Sequence, residues 1–177
     1  MPLLPLLISL LLPLSALAAP AEMDWLELMP PEDRLALENM PDIIHATPET
    51  AGFSDQGRLR QSDRNLPAVM YSAKTVPALN GQTVRLGGYP VPLETDARGN
   101  SIEFFLVPYP GACIHVPPPP PNQIVLVRYP KGIWLNDIYE PLWVDGILLV
   151  EPVSKDLADA AYALEAGAVR AIEMDEL

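Results

Sequence analysis

Gly81-Gln82-Thr83-Val84-Arg85-Leu86-Gly87-Gly88-Tyr89-Pro90-Val91-Pro92-Leu93-Glu94 is the stretch on which the fold turns. Thr83 to Leu86 alternates polar and apolar side chains, the two-residue period of a half-buried strand. Gly87-Gly88 predicts a bulge or a close approach of another backbone. Tyr89 to Glu94 continues the strand. Its two prolines lack N–H donors and place it at a sheet edge. Asp96-Ala97-Arg98-Gly99-Asn100 has turn composition. Ile102 to Val107 then reads as a second strand, with Phe104 and Phe105 facing opposite sides.

Strand texture recurs downstream. Gln123 to Tyr129 predicts a strand buried on both faces, Leu142 to Val150 another, and Tyr162 to Glu173 a last extended run. Ser154 is placed to cap a short helix over Lys155 to Ala161. Five short strands, turns at short intervals and little helix predict a mainly β protein: a small five-stranded OB-like Greek-key barrel over residues 81–177. A small open sandwich is the alternative.

Before the barrel lies an arm, residues 19–80, of short helices and loops. Trp25, Leu26, Leu28 and Met29 form an apolar patch. Pro31-Glu32-Asp33 opens a helical stretch, Glu32 to Met40, because proline suits a first turn and acids favour its positive end. Pro41 stops it. Residues 45–66 are polar and read as loop or short helix. Residues 1–18 read as a signal peptide: an apolar run from Leu3 to Leu14, then Ser15-Ala16-Leu17-Ala18 with small residues at the cleavage spacing. Cleavage is expected after Ala18 and export to the periplasm follows. The run is short and proline-broken for a membrane span, so a soluble protein is expected rather than a membrane-embedded one.

The 177 residues carry a net charge of −12, which argues against nucleic acid and anionic lipid as partners. Cys113 is the single cysteine, so no internal disulfide forms. Proline is abundant, at 22 residues, and concentrates after the second strand.

That segment carries the candidate chemistry. Tyr109-Pro110-Gly111-Ala112-Cys113-Ile114-His115-Val116 leads into Pro117, Pro118, Pro119, Pro120 and Pro121, then Asn122-Gln123. Five consecutive prolines favour polyproline II, a stiff crossover between strands or a ledge for a partner. The amides of Asn122 and Gln123 are expected to satisfy proline carbonyls. Tyr109, Pro117 to Pro121, Asn122 and Gln123 are therefore the candidate partner- or ligand-binding residues. Cys113 and His115, one residue apart, share a face of an extended chain and offer two ligands suited to Zn²⁺ or Cu⁺. A closed site needs more, from His45, from an acid such as Asp24 or Glu94, or from a second chain. The bland reading, which outweighs both, is a packed cysteine beside a hydrogen-bonded histidine; a nucleophile with its base is the least favoured, since no third, orienting group is visible. No complete catalytic constellation is visible, and His45 reads as a surface or capping residue.

Val84 to Glu94, Glu103 to Tyr109, and Gly111-Ala112-Cys113-Ile114-His115-Val116 with the prolines and Asn122-Gln123 resemble DUF3299, a family of exported bacterial proteins with a domain of unknown function. The likeness runs on through Trp143-Val144-Asp145-Gly146 to the last extended run, and Asp24-Trp25 with Leu28-Met29-Pro30 shares it. The resemblance implies a neighbourhood rather than an activity: members are often encoded beside a lipoprotein-export-type ABC transporter and a histidine-rich periplasmic protein, in gene groups associated with zinc starvation. The expectation is a non-enzymatic periplasmic accessory protein, partnered by an envelope ABC transporter or a periplasmic metal-binding protein, with transient Zn²⁺ binding at Cys113 and His115. A thiol-dependent enzyme and a metal-free interaction domain are the alternatives.

Overall fold

The computed structural model describes residues 20–39, 67–112 and 119–173. Residues 1–18, expected to be a signal peptide, the stretch 45–66 with His45, and the run Cys113, Ile114, His115, Val116, Pro117 and Pro118 lie outside the described residues.

The strand predicted from Thr83 onward is β2 (Gln82–Thr95), and it organises the barrel. Its first half pairs antiparallel with β5 (Leu142–Leu149), from Gln82↔Leu148 to Gly88↔Leu142. Its second half pairs antiparallel with β3 (Ser101–Val107), from Tyr89↔Val107 onward. The strand therefore changes partner at Gly88–Tyr89. Gly88 permits this because a Cβ there would lie 2.8 Å from the Val107 carbonyl oxygen and 2.9 Å from the Trp25 ring. Pro90 and Pro92 fall in the second half, where among the described strands only β3 pairs with β2, so one side of the strand needs no N–H donors.

β4 (Val125–Ile133) pairs antiparallel with β3. β8 (Tyr162–Ala171) pairs parallel with β4 and antiparallel with β5. The order β2-β3-β4-β8-β5 thus closes back on β2, a small five-stranded OB-like barrel. The arm adds β1 (Ala21–Met23), parallel to β2 through Ala21↔Val84, the 3₁₀ turn Trp25–Leu28, and α1 (Pro31–Glu38). α1 lies where the proline and acids predict it. Two more 3₁₀ turns, Ala68–Tyr71 and Pro77–Leu79, lead into β2.

One correction concerns residues 155–161. The predicted helix is instead a hairpin of β6 (Val153–Ser154) and β7 (Asp159–Ala160). Ser154 does not cap a helix; its hydroxyl donates across the hairpin to Asp159 Oδ1 at 2.6 Å. Local helix preference loses here because Ala158 and Ala160 bury on the barrel at two-residue spacing.

Phe104 and Phe105 do face opposite sides, and both are buried. Phe104 joins Val84, Leu86, Val125, Val127, Val144, Tyr162 and Leu164 inside the barrel. Phe105 joins Val91, Val107, Leu126 and Ala163 in a second core on the outer surface, roofed by Ala112, Ile124, Ala158 and Ala160. The arm enters the inner core through Met23 and Leu28. Among the described residues, no helix is long and apolar enough to cross a membrane.

Candidate functional site

The proline segment leaves β3 and returns to β4, and each flank is anchored. On the first flank the chain turns through Gly111, whose φ of 74° suits glycine, and Ala112 buries in the outer core. Tyr109 packs against that core, and burial pushes its phenol up to about 12. Cys113, His115, Pro117 and Pro118 fall between the flanks and outside the described residues.

On the second flank Pro119 and Pro120 are buried. Pro120 keeps polyproline-like angles, φ −61° and ψ 155°, and starts the 3₁₀ turn Pro121–Gln123. Backbone donors satisfy the carbonyls of Pro120 and Pro121: Gln123 N–H to Pro120 O at 2.8 Å, and Ile124 and Ala161 N–H to Pro121 O at 3.3 and 2.8 Å. The amides of Asn122 and Gln123, expected in that role, reach the arm instead.

Asn122 Nδ2 donates to Asp33 Oδ2 at 3.0 Å and to the Lys74 carbonyl at 3.1 Å, and its backbone N–H donates to the Ser72 carbonyl at 3.1 Å. The buried Asp33 carboxylate also accepts from Ser72 Oγ at 2.5 Å and faces Lys74 Nζ at 3.4 Å. Gln123 Nε2 donates to the Trp25 carbonyl at 2.7 Å. Trp25 Nε1 in turn donates to the Gly87 carbonyl at 2.6 Å. Tyr162 closes the set: its hydroxyl donates to Leu28 O at 2.8 Å and accepts from Val76 N–H at 2.7 Å. Asn122 and Gln123 are thus buried joints between arm and barrel, while Tyr109 stays partly open to solvent. The one local signal for this was their position against the apolar run Ile124-Val125-Leu126-Val127, which draws flanking polar groups into the interior.

The acids considered as extra metal ligands have other work. Asp24 caps the Trp25–Leu28 turn, accepting from Leu26 N–H at 2.7 Å, and Glu94 faces Lys155 Nζ at 3.7 Å. Among the described residues, no three or more His, Cys, Asp or Glu side chains converge on one point.

The model of the family DUF3299, a protein of unknown function, matches residues 25–171. The chain belongs to the DUF3299 family. A crystal structure of a DUF3299 family protein from Pseudomonas aeruginosa PAO1 is similar at 35% sequence identity and a TM-score of 0.63. That likeness covers 88% of this chain and 98% of the other. No curated protein matches the chain. The family match begins at the capped turn of the arm and ends with β8, so arm, barrel and proline segment belong to one family unit.

Proposed function

We propose that this DUF3299 protein is a non-enzymatic accessory protein of the periplasm, exported by a signal peptide cleaved after Ala18. It serves an envelope ABC transporter or a metal-supply protein by direct contact, and Cys113 and His115 hold Zn²⁺ transiently. The observation that carries this reading is the anchoring of both flanks of the Cys113–His115 run. Ala112 is locked in the outer core, and Asn122 and Gln123 tie the far flank to the arm. A thiolate and an imidazole suit zinc, but two ligands leave a tetrahedral ion open. An open ion is suited to transfer, with the remaining ligands coming from a partner or from water.

Zinc titration of the mature protein tests the metal part. Cys113→Ser and His115→Ala are each expected to weaken binding at least tenfold, and equal binding by all three proteins would refute it. Recovery of envelope partners, repeated with Pro117 to Pro121 replaced by Gly-Ser, tests the contact; unchanged recovery would refute that part. Mass and N-terminal sequence of the protein from periplasmic extract test export and cleavage after Ala18.

A further inference from the structure

The outer surface of the barrel carries two adjacent rows of side chains. Strand register aligns Val91, Phe105, Leu126 and Ala163 in an apolar row across β2, β3, β4 and β8. The neighbouring row is Glu94, Glu103, Arg128 and Glu165. The outer face of the second and third barrel strands is where OB-type barrels take extended ligands.

Here that face is covered by the chain itself. The β6–β7 hairpin lays Ala158 and Ala160 over the apolar row. Its Lys155 pairs with Glu103 and lies 3.7 Å from Glu94. Just before the hairpin, Glu151 pairs with Arg128 at 2.7 Å, and Arg128 also holds Glu165 at 2.8 Å. The hairpin ladder joins only its own two strands, Val153↔Ala160 and Ser154↔Asp159, and forms a sheet separate from the barrel. It therefore rests on the barrel through side chains, with a backbone bond at its foot from Ala161 N–H to Pro121 O. Because its own ladder is separate from the barrel's, the hairpin can leave without breaking a barrel ladder bond.

The acid row demands a cation. Glu94 and Glu103 are direct cross-strand partners, and like charges so placed repel unless a positive group sits between them. Lys155 is that group. Ser101, on the same strand as Glu103, has a buried hydroxyl oxygen with no protein partner among the described residues, a further polar atom at this end of the face.

The geometry points to an intramolecular stand-in: the hairpin occupies a groove that accepts an extended peptide segment of a partner protein, apolar or small along one row and bearing Lys or Arg on the acid row. Binding requires the hairpin to swing off. The incoming cation takes the place of Lys155 between Glu94 and Glu103, and the incoming small side chains take those of Ala158 and Ala160. The inference is independent of zinc, since metal and peptide titrations fail separately.

The test uses the mature chain and a fluorescent peptide copying residues 151–160. Lys155→Met, which loosens the hairpin but keeps the acid row, is expected to bind this peptide at least tenfold more tightly than the unaltered protein. Adding Glu103→Gln should abolish the gain, and a peptide carrying Lys155→Met should show none. A folded Lys155→Met protein with no gain, or equal binding of both peptides, would overturn the proposal. Hydrogen exchange on the unaltered protein decides independently of any variant. The amides of residues 153–160 are expected to exchange at least a hundredfold faster than those of β3 and β4. Equal rates would mean that the hairpin opens only when the barrel unfolds, and would overturn it too.

Discussion

Asn122→Ala separates a structural joint from a ligand contact. The substitution deletes one hydrogen bond to the buried Asp33 carboxylate and one to the Lys74 carbonyl. A bond to a charged group is worth about 1.5–3 kcal/mol and a neutral one about 0.5–1.5 kcal/mol. Together they predict a loss of about 3 kcal/mol, with a further contribution from the small cavity left by the amide. At about 2–4 °C per kcal/mol for a chain of this size, the melting temperature should fall by about 6–12 °C. Urea unfolding followed by tryptophan fluorescence is the assay, because Trp25 sits in the same joint through Gln123. The midpoint should drop with the slope unchanged. A cycle with Ser72→Ala, which removes the other side-chain donor to Asp33 Oδ2, should show coupling above about 0.5 kcal/mol. A loss below about 1 kcal/mol, or no coupling, would refute the assignment and return Asn122 to the candidate ligand surface.

Tyr162→Phe should cost about 2 kcal/mol, since it strands the Leu28 carbonyl and the Val76 N–H together; thermal unfolding of the variant checks it, and a shift under 1 °C would contradict it. Gly88→Ala should cost about 1–3 kcal/mol by overpacking against Val107 O, Leu106 and Trp25. Urea unfolding measures that loss, and an unchanged midpoint would mean the crossover has slack. In the β2–β3 turn, the Asn100 side-chain amide, helped by the backbone N–H groups of Asn100 and Arg98 and the Arg98 charge, holds the Asp96 carboxyl at about 2 against the opposing desolvation. A carboxyl lowered on folding adds stability above its unfolded value, near 4, and that stability is lost as pH falls toward 2. Asn100→Ala should therefore move the Asp96 midpoint up toward the ordinary range in an NMR titration; an unmoved midpoint would show that the backbone donors suffice.

The strands were legible because their signal is local. Alternation at Thr83 to Leu86, the aromatic pair Phe104-Phe105 and the apolar run after Gln123 each specify extended chain without reference to distant residues. Family membership was legible for the same reason: it rests on contiguous motifs. Residues 155–161 were misread because Ser154 and the following alanines satisfy helix rules locally. What overrides them is the apolar row beneath the hairpin, supplied by residues up to about seventy positions away.

The sequence by itself determined which segments form the five barrel strands, where α1 begins and which motif runs into the prolines, since backbone preference and side-chain period act within a few residues. Tertiary structure alone decided that β8 inserts between β4 and β5, that β2 exchanges partners at Gly88, and that Asn122 and Gln123 bind the arm. These outcomes depend on long-range closure: Asp33 and Asn122 are 89 positions apart, and their hydrogen bond exists only because the closed barrel brings both out of water at one point.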